Sequence, residues 1–161
     1  MKRIFSLALV LTLCLAAPMG LAADIHWHKQ EGWSLDGADQ PEDGDSFKVK
    51  PMKGRMKPFT LRLYGVDTPE TSNRIPAMVE DQAKEFKVDP KVIPKMGKAA
   101  REFTGKFLKD GFTIEACGEK ATNGRRYGIV RNLKDERLDE ALLKAGLARM
   151  DRNQEKNMAP F

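Results

Sequence analysis

The chain has 161 residues, of which 41% are hydrophobic, and a formal net charge of +5 from 28 basic and 23 acidic side chains. This length predicts one domain with a single core, and the mildly basic balance is compatible with a polyanionic partner without establishing one. With two cysteines and two histidines, we recognise no zinc-ligand spacing.

The first 22 residues are predicted to be a signal peptide. A short basic start precedes an almost entirely apolar run at 4–17, and small residues follow at 18–23. The apolar run is short for a membrane span. We therefore expect cleavage after Ala22 or Ala23, and a secreted or periplasmic protein with no membrane association in its mature form.

The alternatives at the N-terminus are a lipoprotein signal ending at Cys14 and a retained anchor. Cleavage of the predicted signal removes Lys2 and Arg3 and leaves 26 basic against 23 acidic side chains, a charge of +3. Cys117 is then the one cysteine of the mature chain. An intramolecular disulfide is therefore excluded, although export would permit one.

The next elements are predicted to be strands. A polar segment at 23–41 contains the first strand, at about residues 33–39. Asp43-Gly44-Asp45 predicts a hairpin turn that leads into a strand over 46–50. The alternating stretch 58–66 predicts the third strand, which ends at Asp67-Thr68-Pro69 because proline fixes φ and cannot donate to a ladder.

Polar groups cluster where the third strand ends, as functional groups on a rigid scaffold often do. They are Arg62, Asp67, Thr68 and Glu70. In an antiparallel hairpin, the start of one strand lies near the end of its neighbour. Asp45 is therefore predicted to lie beside Asp67.

The second half mixes helices and strands. Apolar spacing and turn residues predict the following elements, in chain order. They are a loop–helix–loop insertion at 71–97 with its helix at 77–88, a helix at 98–108, strands at 112–116 and 126–133 around a turn at 118–125, a helix at 137–145, and a frayed tail at 151–161.

This order of elements predicts an α+β protein with an OB-fold. Three strands, a helical insertion, a helix, two strands and a helix are typical of a five-stranded antiparallel Greek-key barrel with two to three packed helices.

Several short motifs occur in a recognisable order. They are Asp-Gly-Asp-Ser at 43–46, Leu-Arg-Leu at 61–63, Val-Asp-Thr-Pro-Glu at 66–70, Gly-Lys-Ala-Ala at 97–100, Gly-Arg at 124–125 and Asp-Glu-Ala-Leu-Leu at 139–143. Over residues 42–150 they resemble the staphylococcal nuclease (thermonuclease) family. The resemblance implies a calcium-dependent endonuclease that hydrolyses DNA and RNA on an OB-fold barrel.

The resemblance also implies a metal site. Asp45 and Asp67 match the calcium-ligating carboxylates, Thr68 matches the residue that ligates through its backbone carbonyl, and Asp43 matches an acidic neighbour of the metal. These donors suit calcium, which takes carboxylates, carbonyls and waters in a flexible shell.

The remaining matched residues are those of the reaction itself. Glu70 matches the carboxylate near the attacking water, and such a water needs a carboxylate within hydrogen-bond reach. Arg62 and Arg125 match the two arginines that hold the phosphate, a task that suits planar guanidinium groups. Arg126 is the alternative to Arg125 if the turn is displaced by one residue.

Two departures from the family pattern stand out. The segment 71–97 is longer than in the short secreted members, and it is either a helical flap over the cleft or a surface insertion. Residues 148–152 lack the tyrosines that lie near the nucleotide base in those members, which leaves base stacking and substrate preference open.

The alternative to a nuclease is a noncatalytic OB module that binds nucleic acid or protein. A third possibility is a small exported metal-binding protein that uses Asp45, Asp67, His26 and His28. We expect a monomer with DNA and RNA as substrates and no stable protein partner.

Overall fold

The structure is a computed structural model that describes residues 27–37, 41–120 and 124–151. The predicted signal peptide with its cleavage site, and residues 152–161 of the predicted tail, lie outside the described residues. None of the helices in the described part has the length and apolarity to cross a membrane.

The described residues contain seven strands, three α-helices and one short 3-10 helix, at Pro90–Val92. In chain order they are β1 (His28–Leu35), β2 (Ser46–Pro51), β3 (Phe59–Leu63), β4 (Val66–Asp67), α1 (Pro76–Phe86), α2 (Ile93–Leu108), β5 (Phe112–Lys120), β6 (Arg126–Asn132), α3 (Leu138–Lys144) and β7 (Arg149–Met150).

Five of the strands close into a barrel in the order β1-β2-β3-β6-β5. This arrangement confirms the predicted α+β barrel of the OB type. One pairing differs from the antiparallel expectation, because β3 and β6 run parallel, with Leu61 opposite Arg126 and Leu63 opposite Gly128. The parallel pairing places the turn before β6 beside β3.

The barrel is filled by the alternate residues of its strands. Phe47 and Val49 of β2 and Leu61 and Leu63 of β3 are fully buried, as period-two alternation requires. Phe47 meets Phe112 of β5 edge to face, with ring centroids 6.5 Å apart. The residues that complete this core include Ile114, Val130, Leu138 and Leu142. The polar faces of the same strands are thereby directed outward.

The first strand starts earlier than predicted, at His28, because β1 pairs with two neighbours. His28 lies opposite Ala116 of β5, and Leu35 lies opposite Val49 of β2. A register shift between Gln30 and Trp33 joins the two pairings. The polar sequence at the start of β1 has no alternation, so only the pairing with β5 reveals that it is a strand.

The third strand ends earlier than predicted. β3 stops at Leu63, and Gly65 turns the chain with a φ of 80°, a conformation that glycine adopts readily. β4 then pairs with β7, with Asp67 opposite Arg149. Neither two-residue strand was predicted, because segments this short carry no periodic signal. Their pairing brings the C-terminal end of the domain to the polar cluster.

The predicted insertion contains one helix and the beginning of the next. α1 matches the predicted helix closely, whereas α2 begins at Ile93 rather than at residue 98, with Pro94 in its first turn. Proline is favoured there because the first-turn N–H has no intrahelical partner. Val79, Ala83 and Ile93 form a second buried cluster between α1 and α2. The insertion therefore packs against the domain rather than extending from its surface.

Gly97 of α2 lies directly against the loop that carries Glu70. A Cβ at this position would lie 2.3 Å from the carbonyl oxygen of Glu70. We expect Gly97→Ala to lower the free energy of unfolding by about 1–3 kcal/mol, because the clash with backbone outweighs alanine's helix preference of about 1 kcal/mol. Denaturant unfolding measures this change.

The control is Lys98→Ala, at the next and exposed position of α2, which should change stability by less than about 0.5 kcal/mol. Unchanged or increased stability in Gly97→Ala would contradict the close approach of α2 to the Glu70 loop.

Candidate active site

Arg62 lies between two carboxylates that are far apart in sequence. Its Nη1 contacts Asp45 Oδ1, and its Nη2 donates to Asp67 Oδ1 at 2.8 Å. All three side chains are largely buried. Ser46 pairs with Arg62 in the β2–β3 register, so the hairpin brings Asp45 beside the end of β3, where the sequence predicted it.

Asp45 also holds the turn that follows β4. Its Oδ2 accepts a hydrogen bond from the backbone N–H of Thr68 at 2.6 Å, and its backbone carbonyl accepts one from Leu63. Burial raises the pKa of Asp45, the Arg62 guanidinium opposes the rise, and the charge of Asp67 adds to it. Asp45 therefore links β2 to the Thr68 turn. Its burial disfavours the charged form of the carboxylate.

Glu70 is a half-buried carboxylate at the same turn. Partial burial raises its pKa, the charges of Asp45 and Asp67 raise it further, and Arg62 opposes them. A carboxylate with a raised pKa is a stronger base than an ordinary one. The backbone N–H of Glu70 donates to Oε1 of Gln82 at 2.8 Å, which holds the turn against α1.

Asp43 completes the acidic group. Burial raises its pKa to about 7, and the charges of Asp45 and Glu70 contribute in that order. Among the described residues, Asp43 Oδ1 is buried without a hydrogen-bond partner. Buried oxygens without partners are uncommon in native proteins. The acidic side of the site therefore has unused acceptor capacity.

The structure separates the two candidate arginines of the later turn. Arg125 donates from Nη1 to Ser46 Oγ at 3.0 Å, and Ser46 is the residue that follows Asp45 in the sequence. Arg126 begins β6, and its guanidinium carbon Cζ lies 4.7 Å from the centroid of the Phe59 ring. Arg125 thus lies close to the acidic cluster, whereas Arg126 is engaged at the start of β3.

Two further residues of the site were missed by the sequence analysis. Gln82 of α1 donates from Nε2 to Asp67 Oδ2 at 3.3 Å and to the Thr68 carbonyl at 3.1 Å. Arg149 of β7 donates to Asp67 Oδ2 at 3.0 Å and forms ion pairs with Asp81 and Glu85 of α1. Their contacts arise from tertiary pairing, and no motif or spacing marked them.

Asp67 lies at the edge of an open cavity of about 300 Å³. Arg62 and Arg149 line it together with Met78 and Met150, which are partly exposed. Of the described residues that line this cavity, none is a tyrosine. The rest of the lining is acidic, with Asp81, Glu85 and Asp151, so a ligand that reaches Arg62 meets carboxylates as well as the two methionine side chains.

The donor set differs from that of a dedicated metal cage. In residues 27–37, 41–120 and 124–151, no three His, Cys, Asp or Glu side chains converge as metal ligands. The carboxylates of Asp45 and Asp67 and the carbonyl of Thr68 belong to one hydrogen-bonded network. Calcium accepts such a mixed set, because carbonyls and waters complete its shell.

A family model of staphylococcal nuclease homologues matches residues 60–160. The chain belongs to this family. The match begins within β3 and therefore includes Arg62, Asp67, Glu70 and Arg125, whereas Asp45 precedes it and joins the site through the β2–β3 pairing. A comparison with curated proteins finds no match. Membership of the staphylococcal nuclease homologue family supports a nuclease-like function on nucleic acid.

Asp43 is expected to make this staphylococcal nuclease homologue less stable as the pH rises from about 4 to about 7. Its pKa is about 7 in the folded protein against an ordinary value of 3.8. Between these values the folded state binds more protons than the unfolded state, so the free energy of unfolding falls with pH. Asp43→Asn removes the contribution of residue 43 to this pH dependence because the asparagine side chain cannot ionise.

In chelator at about pH 8, Asp43→Asn should be more stable than wild type by about 1–2 kcal/mol, a value that allows for solvent screening of the partly exposed Asp43. Near pH 4 the two proteins should have the same free energy of unfolding. Denaturant unfolding at the two pH values measures the difference. Asp110→Asn, at an exposed position, is the control. A gap between Asp43→Asn and wild type that does not grow with pH would contradict the expected effect.

Proposed function

We propose that the chain is an exported, calcium-dependent endonuclease that hydrolyses phosphodiester bonds of DNA and RNA. The observation that carries the proposal is that Arg62 contacts both Asp45 and Asp67, two carboxylates from different strands. Glu70 and Arg125 lie beside this group on two separate loops. Membership of the family supports the general class of reaction, and this arrangement supports the specific one.

Asp45, Asp67 and the Thr68 carbonyl would hold the calcium ion. The fit is supported by the unpartnered buried Oδ1 of Asp43, which indicates that the acidic site can accept a further donor or cation. A carboxylate has about four lone-pair sites. Asp45 accepts hydrogen bonds from Arg62 and the Thr68 N–H, and Asp67 accepts from Arg62, Gln82 and Arg149, so each carboxylate keeps at least one site for a cation. Bound calcium would neutralise the clustered acids and polarise a phosphate oxygen.

Glu70 would accept a proton from the attacking water. Its raised pKa brings its basicity closer to that of a general base working near neutral pH. The carboxylate is half-buried, so it retains contact with solvent while its turn is held from the backbone by Gln82. Glu70 is thus both accessible to water and fixed in position.

Arg62 and Arg125 would bind the phosphate oxygens. Guanidinium groups match the geometry of phosphate oxygens with paired N–H donors, and they gain strength as negative charge builds up in the transition state. Burial lowers the pKa of Arg62, but the charge of Asp45 and the hydrogen bond and charge of Asp67 outweigh it and raise the pKa, so Arg62 stays protonated and oriented. Arg125, in the turn before β6, is half-buried and held by its hydrogen bond to Ser46 at the start of β2.

Plasmid DNA and RNA incubated with the purified protein test the proposed reaction. We expect degradation of both in calcium and none in excess chelator. Degradation that persists in chelator would overturn the calcium dependence. Binding without degradation under either condition would overturn the enzymatic role and favour a noncatalytic OB module.

Export and assembly state need separate experiments. The proposal of export rests on residues 1–22, and mass spectrometry of the exported protein should find a chain that starts at Ala23 or Asp24. Recovery of the protein only inside cells, with residue 1 retained, would contradict it. Light scattering should find a monomer without a stable protein partner, whereas a concentration-independent dimer would contradict that expectation.

A further inference from the structure

Gln82 is the one fully buried amide-bearing side chain of α1, and it points into the acidic turn. It is 0% exposed, yet its helix belongs to the insertion rather than to the barrel. Polar side chains are seldom buried completely unless they are hydrogen-bonded. The packing of α1 alone therefore does not account for the complete burial of the Gln82 side chain.

The carboxamide of Gln82 is satisfied on both of its ends. Oε1 accepts from the backbone N–H of Glu70, and Nε2 donates to the Thr68 carbonyl and to Asp67 Oδ2. The reverse orientation would direct the NH₂ group at an N–H donor and the oxygen at two acceptors. The surroundings thus require this orientation.

Few other side chains could make these contacts. A glutamate would direct a carboxylate oxygen at Asp67 and at the Thr68 carbonyl, which repel it. A lysine would add a charge and leave the Glu70 N–H without an acceptor. A neutral donor–acceptor group joins the three residues without changing the net charge of the acidic cluster.

The helix that carries Gln82 is itself tied to the same carboxylate. Arg149 donates to Asp67 and forms ion pairs with Asp81 and Glu85 of α1. Val79 and Ala83, on either side of Gln82, are buried in the cluster with Ile93. α1 is thus held by both apolar and charged contacts, and its position sets that of Gln82.

We propose that Gln82 is a positioning residue of the active site, through which the inserted helix α1 orients Glu70, Thr68 and Asp67. The inference rests on the proposed function, because it assigns these three residues to water activation and metal binding. Gln82 contacts the proposed metal ligands Asp67 and Thr68, and it acts on the reaction through them. Its loss would lower the rate of the chemical step without weakening the binding of nucleic acid.

Hydrogen exchange of the wild-type protein in chelator tests the contact directly. The Glu70 amide should exchange at least about 100-fold more slowly than an unprotected amide, because Gln82 accepts from it. The Leu63 amide, bonded to the Asp45 carbonyl at 2.8 Å, is the internal reference for global stability. Exchange of the Glu70 amide at the unprotected rate would overturn the proposal.

Two variants separate the two ends of the carboxamide. Gln82→Met keeps the shape and removes every hydrogen bond, so it should speed the exchange of the Glu70 amide at least tenfold relative to Leu63. Gln82→Glu keeps the acceptor for Glu70 and should preserve that protection. Both should lower kcat for DNA hydrolysis in calcium by about 10- to 100-fold, with KM within about threefold.

Glu80→Met is the matched control, since it introduces the same side chain at an exposed position of α1, and its kcat should equal that of wild type. Should Gln82→Met fail to fold, the wild-type exchange measurement and Gln82→Glu still decide the matter. Both Gln82 variants retaining kcat within about threefold of wild type would overturn the inference.

Different results would overturn the proposed nuclease function and the proposed role of Gln82. A wild-type protein that hydrolyses neither DNA nor RNA in calcium would overturn the proposed function. A strong rate loss in Glu70→Gln without one in either Gln82 variant would leave the proposed function intact and overturn the role of Gln82.

Discussion

Glu70→Gln is expected to lower kcat for DNA hydrolysis by about 100- to 10,000-fold, with KM changed little. The amide cannot accept a proton from water, whereas the backbone N–H bond from Glu70 to Gln82 does not involve the replaced group. The turn should therefore keep its conformation. Initial rates on plasmid DNA at saturating calcium measure the loss.

The control for this change is Glu80→Gln, which neutralises an exposed acid on α1 and should leave kcat unaltered. Removing a negative charge from the acidic cluster should also leave Glu70→Gln at least as stable as wild type in chelator, because burial and the charges of Asp45 and Asp67 disfavour the ionised carboxylate. A kcat for Glu70→Gln within about threefold of wild type would exclude Glu70 as the base.

Arg62→Lys is expected to lower kcat/KM by about 100- to 1,000-fold, because an ammonium keeps the charge but loses the paired donors that reach two acceptors at once. Arg62→Ala should lose at least as much activity and also destabilise the protein. It would leave Asp45, only 1% exposed, without its cation. Breaking a buried ion pair from one side costs about 3–5 kcal/mol.

Steady-state kinetics and denaturant unfolding in chelator measure these two effects. Arg55→Lys, at an exposed position of the loop after β2, is the control and should change neither. An Arg62→Lys variant with the kinetics of wild type would contradict the role of the guanidinium fork. An Arg62→Ala variant as stable as wild type would contradict the ion pair between Arg62 and Asp45.

Much of the barrel could be predicted because its strands alternate. Phe47 and Val49 are separated by Lys48, and Leu61 and Leu63 by Arg62, so each pair marks one face of a strand. This pattern predicted the β2–β3 hairpin, and the hairpin predicted the approach of Asp45 to Asp67. The parallel pairing of β3 with β6 was not predicted. Hydrophobic periodicity indicates which face of a strand is buried, but it does not indicate which strand pairs with it or in which direction.

The contributions of α1 and β7 to the site escaped sequence reasoning. Gln82 is flanked by charged and apolar residues on a helix whose overall pattern is weak, and a polar residue there ordinarily faces solvent. Arg149 lies in a two-residue strand that exists only because β4 pairs with it. In both cases the contact depends on how separate elements dock, which local propensity does not encode.

The sequence by itself determined the family, the order of the five barrel strands and the helices, and the polar cluster at residues 62–70, because hydrophobic alternation and short motifs are local properties. Only the tertiary structure decided that Arg125, not Arg126, lies near the acids, that β7 supplies Arg149, and that the inserted helix reaches the Thr68 turn through Gln82. The physical reason is that hydrogen bonds extend about 3 Å. Contacts between residues distant in sequence exist only after packing has brought their elements within that range.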